Sequence, residues 1–172
     1  TGIGAVSTNG VGREAFWAAT RAGKSGVRRI TQFDVEPYPT RIAGIVADFD
    51  PALVMSSNDL KHVPRIVPLA VTASLEAVAD AGLQTNDMSV DERRRFAVVV
   101  GSGGAGLEFI ERQFRQYYLE DPKGVSLYTI PSSTPGSLSS ELSMKFSLRG
   151  PSHVMSTGCT SSTDALGHAM SL

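Results

Sequence analysis

The run Phe96-Ala97-Val98-Val99-Val100 constrains the fold more than any other stretch of the chain. It is apolar without a break, rich in β-branched residues and shorter than a buried helix, so it reads as a strand covered on both faces. A strand with no polar face needs a layer of structure on each side of its sheet, which is the arrangement of α/β proteins. Gly101, Gly103, Gly104 and Gly106 follow at once, and residues 107–118 carry a helical pattern. A second strand–turn–helix passage starts at Ser152, turns at Gly158 and begins a helix beyond Cys159.

The rest of the chain extends this alternation. Residues 13–22 predict a helix, with Phe16, Trp17, Ala19 and Thr20 at helical spacing and Gly23 closing it. Residues 24–40, punctuated by Pro37 and Pro39, read as loop. Residues 41–46 read as a short strand and 51–62 as a short helix with a loop. The clearest helix is 64–81, where Ile66, Leu69, Ala70, Ala73, Ala77 and Val78 make an apolar face and Gly82 ends it. Arg93, Arg94 and Arg95 read as solvated charges ahead of the central strand. Residues 121–131 read as loop, and 133–146 as a helix reached through Thr134-Pro135, with proline in the first turn. Leu148-Arg149-Gly150-Pro151 reads as a turn.

Composition excludes several function classes. The 172 residues can bury a sizeable core and suit one domain or a piece of a larger protein. Hydrophobic residues make up 41%, charged residues 19%, and the net charge is −1, an ordinary globular profile. No apolar run approaches the ~20 residues of a membrane helix, and no signal peptide opens the chain. Near-neutral charge without a basic stripe argues against nucleic acid as a partner. His62, His153 and His168 are scattered, so no metal site is expected. A lone cysteine cannot form an internal disulfide, which fits the reducing cytoplasm. Thr1-Gly2-Ile3-Gly4 reads as the tail of a buried strand, and Ser171-Leu172 stops in a helix barely begun. The chain is therefore expected to be a piece of a longer protein.

Cys159 falls at the second strand-to-helix turn. A helix start offers free N–H groups and partial positive charge, a setting that suits a thiolate nucleophile. Two other motifs compete. Gly101-x-Gly103-x-x-Gly106 matches the dinucleotide fingerprint, which also asks for an acidic residue ending the next strand about 20 residues on. Asp121 has the distance but lies in a Pro/Gly loop, so close packing or room for a ligand tail is the other use of these glycines. A serine hydrolase would show Gly-x-Ser-x-Gly, which the turn lacks; Ser161, Ser162 and Thr163 suit capping or packing. A thiol catalyst also needs a base and an oxyanion stabiliser. His153 precedes Cys159 on the incoming strand, and His168 follows it by roughly 13 Å of helix rise. Neither reaches the thiol, and both read as structural. The nucleophile stands without its base.

Taken in order, several short segments resemble the elongating β-ketoacyl-acyl-carrier-protein synthases of the thiolase superfamily, including the ketosynthase subunits of type II polyketide synthases. They are Thr1-Gly2-Ile3-Gly4, Arg41-Ile42-Ala43-Gly44 with Asp48-Phe49-Asp50, and Gly101-Ser102-Gly103. Pro131-Ser132-Ser133, Leu148-Arg149-Gly150-Pro151 and Gly158-Cys159-Thr160-Ser161 complete the set. The resemblance implies that residues 1–172 form the N-terminal half of a layered αβαβα fold with a mixed central sheet. It implies that Cys159 accepts an acyl chain from an acyl carrier protein, and that its N–H is one of two oxyanion donors. A malonyl thioester, also carried on phosphopantetheine, then loses CO₂ and extends the chain; no further cofactor is implied. The two histidines and the lysine that assist decarboxylation belong to the family's other half, so this chain alone is expected to be inactive.

Two departures bear on substrate. Gly104 matches a position often bulky at the acyl pocket of fatty-acid enzymes, and Thr129 one that is often aromatic and contributed across the dimer. Their small size leans toward a polyketide or other unusual chain. Ser152, His153, Val154, Met155 and Ser156 match the strand that pairs across the family's two-fold axis, with an identical subunit or a chain-length subunit as partner. A thiolase or CoA-primed synthase, and a non-catalytic chain-length subunit, are the competing readings. Cys159 counts against the last.

Overall fold

The computed structural model describes every residue from Thr1 to Leu172 except Ala105. The chain divides into two compact units, residues 1–50 with 72–83, and residues 51–71 with 84–172. Strands and helices alternate as expected, but the strands form three separate pairs among the described residues. Antiparallel and parallel pairing both occur, without joining into one mixed sheet. No helix among the described residues is long and apolar enough to cross a membrane.

In the first unit, β1 (Val6–Ser7) pairs with β2 (Gly10–Val11) and leads into α1 (Arg13–Arg21). The expected loop at 24–40 contains β3 (Val27–Arg29), which pairs antiparallel with β4 (Ile42–Gly44). A three-residue strand with every position exposed carries no apolar pattern, so the sequence offered no signal for β3. Residues 1–4 are not a strand. Their backbone is held by a helix instead: α2 (Ile66–Asp80) presents Asp80 to the Ile3 N–H at 2.9 Å and Glu76 to the Ala5 N–H at 2.9 Å. Glu76 also accepts the Arg13 N–H with both oxygens, at 2.9 and 3.1 Å, and the Arg13 guanidinium pairs with Asp80. Carboxylates thus satisfy backbone donors that no neighbouring strand meets.

The expected helix at 64–81 is α2, shortened at both ends. Its buried residues are Val67, Pro68 and Val71, a different face from the one read by periodicity. Residues 66–71 are apolar at every position, so spacing could not select a face; packing did. Pro68 is tolerated because it sits in the first turn, where its missing N–H has no intrahelical acceptor.

The second unit holds most of the buried side chains: Val67, Val71, Phe109, Leu138, Leu142, Phe146 and Ala165. Each larger one contributes about 1.5–3 kcal/mol relative to exposure. The central strand is β5 (Val98–Gly101), preceded by the short α3 (Val90–Arg94) and followed by α4 (Leu107–Leu119). Arg93 is not a solvated charge. It donates to the Met88 carbonyl at 2.9 Å and the Asn86 carbonyl at 3.1 Å, tying α3 to the segment before it. The expected loop at 121–131 contains the start of α5 (Thr129–Ser133). A break at Thr134 separates α5 from α6 (Gly136–Lys145), so 133–146 is not one helix. Thr134 is extended at φ −75°, ψ 140°, as a residue before proline prefers.

β5 pairs in parallel with β6 (Ser152–Met155), in register Val98 to Ser152 and Gly101 to Met155. β6 leads through a turn to α7 (Ser161–Ser171). Gly101 meets the start of α7 so closely that a Cβ there would collide with the Ser161 carbonyl.

Two outcomes test these contacts. Arg13, and secondly the Ile3 N–H, hold the Asp80 carboxyl below its ordinary value of 3.8. A carboxyl depressed in the folded state stabilises above its unfolded pKa, and that contribution is lost as pH falls through the folded value. Asp80→Asn should therefore lower stability more at neutral pH than at pH 2; urea melts giving an equal loss at both would refute it. Gly101→Ala should cost about 1–3 kcal/mol by forcing α7 off the strand, checked by thermal and urea melts.

Candidate active site

Parallel strands β5 and β6 end side by side, so the loops that leave them emerge at the same edge. The Ser102 N–H extends the ladder one step, donating to the Met155 carbonyl at 3.0 Å. With no further partner residue on β5, the ladder stops at Met155, and Ser156 lies beyond the strand rather than in it. The chain then reverses. Gly158 takes φ +69°, a left-handed conformation open to glycine, and begins a single 3₁₀ turn, Gly158–Thr160, that runs into α7.

Side chains lock this reversal. The buried Ser161 hydroxyl accepts the Thr157 N–H at 3.0 Å and donates to the Gly158 carbonyl at 2.6 Å. Asp164 accepts hydrogen bonds from the Thr157 and Thr160 hydroxyls, the latter at 3.2 Å. The single Thr160 hydroxyl proton is shared between Asp164 and the Thr157 carbonyl, which lies 3.0 Å away. Of the three residues expected to cap or pack, Ser161 is buried in the turn and braces it together with Thr157 and Thr160. Neither Thr157 nor Thr160, at the N-cap positions, makes a side-chain cap bond. Asp164, one helical turn beyond Thr160, was not singled out in the sequence; its signal was the i, i+4 spacing from a threonine at a helix start.

Cys159 occupies the outside of the braced turn, free and exposed. Its N–H makes no hydrogen bond among the described residues. One residue thus offers a nucleophilic sulfur and, beside it, a fixed N–H donor for charge developing on an attacked carbonyl oxygen. The Gly101–Gly106 segment runs next to it: a Cβ on Gly103 would stand 3.4 Å from the Gly158 carbonyl oxygen. Ala105 of that segment lies outside the described residues.

The remaining sequence-predicted residues divide. Gly104 is exposed, and among the described residues a Cβ there would meet the Leu107 side chain alone, Cδ1 at 2.8 Å and Cγ at 3.5 Å. Leu107 is a flexible side chain, so the backbone leaves room for a larger residue. Thr129 opens α5, and its hydroxyl is used locally, donating to the Ser126 carbonyl at 2.6 Å. His153 and His168, read as separate structural residues, meet each other: Nδ1 of His153 lies 2.9 Å from Nε2 of His168. Neither hydrogen-bonds Cys159.

A feature that the sequence did not reveal is a groove of about 490 Å³ lined by Val54, Met55, His62, Tyr128, Glu141 and Lys145, among others. Burial, and secondly Asp59, push the Glu141 carboxyl above its ordinary range. The His62 ring stacks on Tyr128 with centroids 3.9 Å apart. No group of three metal-ligating side chains comes together among the described residues.

Comparison with known proteins bears on this geometry. The family profile described as "Beta-ketoacyl synthase, N-terminal domain" matches residues 1–172. The chain is 36% identical over 169 residues to 3-oxoacyl-(acyl-carrier-protein) synthase 2 of Coxiella burnetii, which covers 98% of this chain and 40% of that protein. It is 34% identical over 172 residues to the tetracenomycin polyketide synthase ketoacyl synthase beta subunit of Streptomyces glaucescens, covering 100% of this chain and 41% of that one. The solved structure of the ishigamide ketosynthase/chain length factor superposes with a TM-score of 0.75 at 27% identity, over 99% of this chain and 44% of that chain. The chain therefore spans about 40% of the length of the curated relatives it matches. The fold is the thiolase-like α/β fold of ketosynthases, and the chain belongs to the β-ketoacyl synthase family, whose N-terminal domain it forms.

Proposed function

We propose that Cys159 is the acyl-accepting nucleophile of a β-ketoacyl-acyl-carrier-protein synthase. The observation that carries this reading is the exposed thiol on a braced strand-to-helix turn, with its own N–H unengaged. Sγ attacks the thioester carbonyl of an acyl group on a carrier protein. The oxyanion that forms is held by the Cys159 N–H and collapses, and the carrier's phosphopantetheine thiol leaves. Cleavage of the carbon–carboxylate bond of a malonyl-carrier thioester then releases CO₂ and leaves the electron pair as an enolate. Its carbon bonds to the acyl carbonyl, the bond to Sγ breaks, and the chain is two carbons longer. Groups assisting decarboxylation are not among these residues, and no dissociable cofactor is required.

The partners in this reading are an acyl carrier protein and a second ketosynthase-type subunit. β6 supports the latter: one edge is paired to β5, and the other is unpaired among the described residues. A backbone edge of this kind accepts a strand from another chain. The second subunit is identical or a chain-length subunit, and the ketosynthase/chain length factor structure supports a partner of the latter kind. The small side chains at Gly104 and Thr129 favour a long or oxygenated polyketide-type chain over a saturated fatty acyl chain, in keeping with the likeness to a polyketide synthase subunit.

In the full-length protein, incubation with an acyl-carrier thioester should add the acyl mass to the peptide bearing Cys159. Cys159→Ala should reduce that loading by about a thousandfold or more; undiminished loading of the variant would overturn the assignment. Gly104→Ile should shift the accepted chains to shorter lengths, measured by product mass. Unchanged lengths would remove the pocket role of Gly104.

A further inference from the structure

The strand and helix that meet at Cys159 are joined a second time, well away from the turn. Among the described residues, one side-chain hydrogen bond links β6 to α7, between His153 Nδ1 and His168 Nε2 at 2.9 Å. The rings lie 5.1 Å apart, centroid to centroid, at 27°. At this distance one facing nitrogen carries the proton and the other presents its lone pair.

The other contacts of α7 explain why this bond matters. Ser161, Ala165 and His168 follow i, i+4, i+7 spacing and share one face. Ser161 and Ala165 are buried, and both are small. Near the turn the approach is set by Ser161 against Gly101. Small side chains let the helix come close. The directional bonds of Ser161 and Asp164 all reach back to residues 157–160 at its start, so they fix that end and leave the tilt of the rest of the helix to other contacts. Beyond that first turn, the directional restraint between β6 and α7 among the described residues is the histidine pair. We propose that His153 and His168 are positioning residues, whose hydrogen bond sets the tilt of α7 against β6 and thereby the direction of Cys159 Sγ and its N–H.

The lever is long enough to matter. His168 lies about 10 Å along the helix from Ser161, so a ~2 Å displacement there turns the axis by roughly 11°. Reactive geometry degrades over about 10–20°. The pair therefore acts on the nucleophile through the helix, without touching it.

This inference rests on Cys159 being the nucleophile, but its test does not depend on acyl transfer. In the full-length protein, the alkylation rate of Cys159 by iodoacetamide is followed by peptide mass mapping, alongside thermal melts. His153→Ala and His168→Ala should each change the rate about three- to tenfold, the range of one lost hydrogen bond, and the double variant no more than either single. Combining His153→Asn with His168→Gln places amides where the two nitrogens sit, and should restore the rate to within about twofold. Folded alanine variants with an unchanged rate would overturn the proposal. So would a double variant whose change is the product of the singles, or an Asn/Gln protein that folds without restoring the rate. Should the alanine variants not fold, the Asn/Gln protein decides alone, and a rate differing more than about threefold from the parent overturns it. A parent protein that alkylates normally but never accepts an acyl group would overturn the ketosynthase reading and leave this test intact.

Discussion

The site depends on the backbone of Gly101 lying against the first residues of α7. Parallel pairing aligns the ends of β5 and β6, but it does not determine where the helix after β6 begins. That is decided by how near the helix can come to β5. With hydrogen in place of a side chain at Gly101, the Ser161 backbone reaches the strand, and the chain between Met155 and Ser161 must reverse within a few residues. Cys159 is on the outside of that reversal because the inside is filled by Ser161.

Carboxylates perform much of the bracing that ladders perform in richer sheets. Strands of two to four residues pair few backbone groups, and the segments around them still carry N–H donors to be satisfied. Glu76 and Asp80 on α2 take the donors of Ile3, Ala5 and Arg13. Glu108 takes the Arg65 N–H at 2.7 Å, and Glu92 forms a reciprocal cap with Ser89. Asp164 does the same for hydroxyls at the Cys159 turn. Bonds to ionised acceptors are the stronger kind, so short elements can be held by few of them.

Legibility followed the range of the interactions. The helices at Arg13–Arg21 and Leu107–Leu119 and the strand at Val98–Gly101 were readable, because local periodicity and glycine boundaries specify them. β3 was not, since an exposed three-residue strand exists only through its partner β4. The buried face of α2 was not, because Ile66 to Val71 are apolar all round. The partners of Arg93 were not legible, because nothing local shows that the Met88 and Asn86 carbonyls turn toward it. A packing role for Ser161 was readable; the bonds of Asp164 and the meeting of His153 with His168 were not.

By itself the sequence determined the alternation of strand and helix, the glycine turn, and the placing of a lone thiol at a helix start, all consequences of neighbouring residue types. It also carried enough of the family's order of short segments for the resemblance to be seen. Tertiary structure decided which side chains close the turn, that the thiol faces outward, and that two histidines fifteen positions apart share a hydrogen bond. Those facts depend on how close one backbone can approach another, and no local pattern of residues encodes that distance.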